Sequence, residues 1–113
     1  MKVDVRKADD TIIVDLKGRL VLGVGDEVLR DVINTLLAEE WKKILINLEG
    51  VTVMDSSGIG EILSSWKLSR RFGATVKLLR PGDTIKHTLQ LTRILPLLEV
   101  HEDEQEALQS FAG

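Results

Sequence analysis

Lys43-Ile-Leu-Ile-Asn-Leu48, Val51-Thr-Val-Met54 and Asp55-Ser-Ser-Gly58 follow one another and lead into Ile59, Ile62, Leu63 and Trp66 at helical spacing. The first run is short and almost continuously apolar, the pattern of a strand covered on both faces. The second extends it toward a polar break. The apolar residues from Ile59 onward describe a helix with one apolar stripe. Lys67, Arg70 and Arg71 fall in its last turns, where cations favour the negative end of the helix dipole. Gly73 is a left-handed C-terminal stop, and Thr75-Val-Lys-Leu-Leu79 is the next strand. Strand, helix, strand at these spacings is a βαβ unit, so the sheet is at least partly parallel.

Upstream, Thr11-Ile-Ile-Val-Asp-Leu-Lys17 is rich in β-branched residues and reads as a strand ending at Gly18. A weaker strand from Val3 to Arg6 pairs with it through a turn at Ala8-Asp9-Asp10. Gly23-Val-Gly-Asp26 breaks the pattern, and from Val28 apolar residues come in pairs: Val28 and Leu29, Val32 and Ile33, Leu36 and Leu37. That repeat is a helix with Asp31, Asn34 and Glu39 on its wet side. Downstream, Asp83 is expected to cap a helix running to about Leu91. Pro96 separates it from a short strand near Leu97 to His101. Asp103, with Glu106 at capping-box spacing, starts a C-terminal helix to about Phe111. The expected fold class is α/β: one domain, residues 1–113, with a mixed, mostly parallel sheet and helices mainly on one face.

Composition narrows the function. The chain is 43% hydrophobic and 29% charged, which suits a folded domain. It has no cysteine, so disulfides and thiolate metal sites are excluded. Its formal charge of −3 and 4% aromatic content argue against nucleic acid, which needs concentrated cations and stacking rings. The N-terminus lacks the apolar run of a signal peptide, no stretch reaches membrane-span length, and the cytoplasm is the expected location.

Most active-site templates are missing. There is no phosphate-binding Gly-x-x-x-x-Gly-Lys loop, and Gly18, Gly23 and Gly25 lack dinucleotide spacing. Neither Ser56 nor Ser57 sits in a Gly-x-Ser-x-Gly elbow. His87 and His101 lie on different elements without companion ligands, which reads as surface or half-buried histidine. No metal or cofactor is expected. An enzyme using Ser56 as nucleophile would need a histidine or lysine placed to activate it, and the sequence places none.

Asp55-Ser-Ser-Gly58 is the remaining candidate. A strand-to-helix junction needs an N-cap, and Asp and Ser supply one. One cap suffices, however, and three stand in a row. A helix N-terminus also favours an added phosphate through its free N–H groups and dipole.

These residues resemble the STAS domains of bacterial anti-sigma-factor antagonists. The resemblance runs through the strand to Gly18, Ile44-Leu-Ile-Asn-Leu48, Val53-Met-Asp-Ser-Ser-Gly-Ile-Gly60, Gly73, the strand to Leu79, and Leu91 through Val100. It implies a non-enzymatic switch that binds an anti-sigma factor which is also a serine kinase, and so regulates transcription indirectly. Phosphorylation of the serine after the aspartate, here Ser56, ends the complex, and a phosphatase restores it. The resemblance implies that Asp55 shapes the kinase-facing loop, Ser57 caps the helix and Gly58 permits close approach. The expected partner surface therefore comprises Asp55, Ser56, Ser57 and Gly58 with Leu20, Val21, Gly23 and Asp26, on an interface expected along Leu20 to Gly25, the loop before Ser56 and the exposed side of the following helix. Such antagonists carry Gly-x-Leu-Asp after the early strand, whereas this chain has Gly18-Arg-Leu-Val21, so Val21 replaces an interface aspartate. Asp26 is the candidate to take over part of that role. Exposed apolar residues between Ile59 and Trp66 are a candidate docking patch, with core burial as the competing reading. A second copy of the chain is a further candidate partner. A non-switching STAS scaffold subunit of a stress-sensing or lipid-transport complex is the alternative function.

Overall fold

The run beginning at Lys43 becomes the central strand of a five-stranded sheet, and the rest of the fold is arranged around it. The computed structural model describes residues 1–93 and 95–112; Ile94 and Gly113, both within the expected domain span, lie outside the described residues. In chain order the elements are β1 (Lys2–Ala8), β2 (Thr11–Leu20), α1 (Asp26–Ala38), β3 (Lys43–Met54), α2 (Ser56–Arg71) and β4 (Thr75–Leu79). Then come α3 (Asp83–Leu91), a 3₁₀ turn at Leu95–Leu97, β5 (Val100–His101) and α4 (Glu104–Phe111). The strands lie side by side in sequence order, β1 antiparallel to β2 and every later pair parallel.

That order explains the layers. Each crossover steps to the next strand in the same direction, and right-handed crossovers taken in one direction put α1, α2 and α3 on one face. The α4 helix follows the last strand, is bound by no crossover, and packs on the opposite face. The main core joins Val14 of β2, Ile46 of β3 and Leu78 of β4 to Leu29, Ile33 and Ile62 of the helices, all essentially inaccessible. The second core is small: Ile13, Leu45 and Leu79 against Ala107, with Leu108 and Phe111 partly buried. A fully buried Leu or Ile contributes about 1.5–3 kcal/mol, so the three-helix face holds most of the stability. Because β3 supplies both cores alternately, its sequence is apolar on both faces.

Several local expectations are corrected. The second strand does not end at Gly18. It continues to Leu20 through register shifts beside Gly18, whose φ of +119° only glycine adopts without strain. Asp83 is the first residue of α3 and not its cap; the extended Gly82 holds the capping position and, having no side chain, makes no side-chain cap bond. The last strand is only Val100–His101, since Pro96 has no N–H for a ladder and sits in the 3₁₀ turn. Other expectations agree: the Asp103 carboxylate accepts from the Glu106 amide at 3.0 Å, and Gly73 follows α2 with φ +72°.

Candidate functional site

The C-terminal end of β3 delivers Asp55 in extended conformation, and α2 starts at the next residue. One Asp55 carboxylate oxygen accepts from the Gly58 amide at 3.0 Å, the N-cap bond of α2. The other accepts from the amide of Leu22 at 3.1 Å, in the loop between β2 and α1. These amides, Gly58 first and Leu22 second, hold the Asp55 carboxyl below the usual carboxylate range. The cap is therefore Asp55 and not Ser57, which lies half-buried inside the first turn. An extended aspartate at this junction reaches both amides at once, and a residue already in helical conformation does not. Ser56, the first helical residue, is exposed.

Gly58 is buried under the end of β2. A Cβ there would stand 2.1 Å from the Leu20 carbonyl oxygen and 3.0 Å from the Leu20 and Met54 side chains. Only a glycine lets α2 start this close to the sheet.

The Leu20–Gly25 stretch separates into an anchored part and a presented part. Leu20 and Val21 are buried, so neither offers its side chain to a partner. The Val21 carbonyl accepts from the amides of Val24 and Gly25, closing a tight turn in which Gly23 has φ +75°. Asp26 is buried too, its carboxylate accepting from the amides of Gly23 and Glu27 at 2.9 Å each. Asp26 thus shapes the turn and does not replace a surface aspartate. The turn presents Leu22, which is 71% exposed, and Val24, with Val53 of β3 exposed two residues before Asp55. The stretches expected to form the interface, Leu20 to Gly25 and the loop before Ser56, take in Leu22 and Val24 without naming them; the signal for the side chains themselves was apolar residues alternating with turn glycines, where no core face is available.

Along α2, Ile59 and Ile62 are core, while Leu63 and Trp66 are half-buried, Trp66 beneath the Arg70 guanidinium. The expected apolar patch on this helix is therefore mostly core. Its open side is the small and polar series Ser56, Gly60, Ser64 and Lys67. Glu61 turns toward α1 and pairs with Arg30 at 3.1 Å, tying the two helices together. Both histidines lie on other elements, His87 on α3 and His101 on β5. Among the described residues, no cluster of three His, Cys, Asp or Glu side chains could hold a metal, and no helix is long and apolar enough to cross a membrane.

Comparison with known proteins agrees with this architecture. The chain is 24% identical over 109 residues to the anti-sigma-B factor antagonist of Bacillus subtilis (strain 168), spanning 96% of this chain and 98% of that one. A crystal structure of a candidate anti-sigma factor antagonist from Thermotoga maritima superposes with a TM-score of 0.91 at 21% identity, over 98% of this chain and 95% of that one. The Bacillus cell fate determinant SpoIIAA in its phosphorylated form superposes with a TM-score of 0.74 at 24% identity, over 97% and 99%. The family model for the STAS domain matches residues 2–107, and the chain belongs to that family.

Proposed function

We propose that this protein is an anti-sigma factor antagonist whose binding surface surrounds Ser56 and whose phosphorylation at Ser56 breaks the complex. The partner is an anti-sigma factor that also acts as a serine kinase, a phosphatase restores the free serine, and the exchange takes place in the cytoplasm. The observation that carries this reading is the division of labour at the start of α2. Asp55 makes the cap, so the exposed Ser56 hydroxyl has no structural duty and is free to accept a phosphate.

The physics of such a switch is local. A phosphate at the first position of a helix is favoured by the dipole and nearby N–H groups, so the fold tolerates it. It would add a charge of about −2 at the end of the sheet that also exposes Leu22, Val24 and Val53. A partner that covers those side chains would have to bury that charge, and an uncompensated buried charge costs several kcal/mol or more. Affinity falls at the interface while the domain stays folded. The antagonist named among the relatives supports the partner class, and the neighbour known in a phosphorylated form supports the modification.

Intact-mass analysis of the protein purified from its own cells, wild type beside Ser56→Ala, tests the reading. A single phosphate that varies with growth conditions and is absent from the variant is the expected result. No phosphate under any condition, with a stable assembly indifferent to Ser56→Ala, would overturn the switch and leave a scaffold subunit.

A further inference from the structure

We infer that the free edge of β1 is a self-pairing site, through which two copies of this chain join their sheets antiparallel about a two-fold axis at Val5. The sheet has two edges and they differ. β5 is two residues long, too short to template a neighbour, whereas β1 runs for seven residues from Lys2 to Ala8 with nothing on its outer side among the described residues. An unpaired edge of that length offers a row of N–H and C=O groups to another strand.

The side chains on this edge select the occupant. Val3, Val5 and Lys7 pair with Leu16, Val14 and Ile12, so they lie on the α1 face; Asp4 and Arg6 lie on the α4 face. Antiparallel pairing centred on Val5 sets Asp4 of each copy opposite Arg6 of the other, giving two ion pairs around a Val5–Val5 contact. Centring on Asp4 instead sets Asp4 against Asp4 and Lys2 against Arg6, and centring on Arg6 sets Arg6 against Arg6, all like-charged. A slip of one residue turns the apolar face of one copy over. Centring on Val3 also brings opposite charges together, Lys2 against Asp4, but overlaps only residues 1–5, so the longest register with its charges matched is the one centred on Val5.

Three further observations fit. Arg6 is held at the edge by Asp15 and Glu104, with its side chain still 44% exposed, and Asp4 is 65% exposed. Val5, half-exposed, forms a shallow groove with Val32 and Leu36 of α1, which the second copy's Val3 and Val5 would cover. The same groove carries two acids, Asp31 and Glu39, and the second copy brings a cation, Lys7, to this face of the sheet. One strand pair and one groove form a small interface, below about 1,200 Å² in total, so the dimer is reversible and appears at high protein concentration. The inference stands whether or not Ser56 is a phosphosite.

Sedimentation equilibrium of wild type, Val5→Lys and Asp4→Lys, from about 10 µM to about 1 mM, tests it. The expected result is a concentration-dependent dimer in wild type, weakened about tenfold or more in both variants by like charges across the axis. Both sites are exposed, so thermal melting should be nearly unchanged. A wild-type monomer at every concentration overturns the inference, and so does a dimer that both variants retain. Should a variant fail to fold, hydrogen exchange of wild type decides alone: protection of residues 2–8 must rise with concentration, and unchanged protection overturns the inference.

Discussion

Asp55 binds the backbone amide of Leu22 at 3.1 Å with one oxygen and that of Gly58 at 3.0 Å with the other. One carboxylate thereby fastens the exposed turn between β2 and α1 to the start of α2, and sets Leu22 beside Ser56. Asp55→Ala should lower the melting temperature and speed amide exchange across residues 22–24 as well as 56–58. If only the helix start responds, the tether to Leu22 carries no load. The pH dependence has a definite sign. The folded carboxyl titrates below its usual range, so its contribution is complete above that range and disappears as acid reaches the lowered value. Asp55→Asn should remove that part of the acid sensitivity.

Two glycines in the first turns of α2 should respond in opposite directions to the same substitution. Gly58→Ala drives a Cβ against the Leu20 carbonyl, a backbone atom that cannot rotate away, and should cost about 3 kcal/mol. Gly60→Ala meets nothing within 4 Å and should stabilise by roughly 0.5–1 kcal/mol through helix propensity. Urea denaturation of the two variants measures both signs.

Ser56→Glu and Leu22→Asp should separate binding from folding. Both residues are exposed. A glutamate at the first helical position is favoured by the dipole, so Ser56→Glu should change stability by less than about 1 kcal/mol. Calorimetric titration against the anti-sigma partner should show at least about a tenfold loss of affinity for each variant, ~1.4 kcal/mol. Unaltered affinity in both would move the binding surface away from this end of the sheet.

The acid limb of stability has a second source at β5. Lys77, nearly buried, and then His101 hydrogen-bond Glu99 and hold its carboxyl at about 2, against an ordinary 4.5. Its contribution is therefore complete above the ordinary value and is lost as pH falls toward 2. Melting curves of wild type and Glu99→Gln should differ most near neutral pH and converge in strong acid. A gap that stays constant with pH would show that the carboxylate charge is not what stabilises β5.

Periodicity and junction chemistry were enough for the elements. The β3 run is apolar at every position that meets a helix on either side, the paired apolar residues of α1 can face only one core, and Asp103 caps α4 through an amide three residues away. These interactions are local or period-driven, so they are written in neighbouring residues. The resemblance carried by Met54-Asp-Ser-Ser-Gly58 pointed to the family from the same local information.

What neighbouring residues did not contain was decided by contacts across the fold. Asp55 and not Ser57 became the cap because the Leu22 amide, far away in sequence, takes its second oxygen. Val21 and Asp26 turned inward, and Leu22 and Val24 outward, because the turn closes on the Val21 carbonyl and the Asp26 carboxylate. The strands, the helices and the polar junction where Ser56 sits are legible in neighbouring residues, since each depends on periodicity or on a bond within one turn. Which side chains at that junction hold it and which remain open to a partner depends on burial, and burial is set by elements that the chain brings together from a distance.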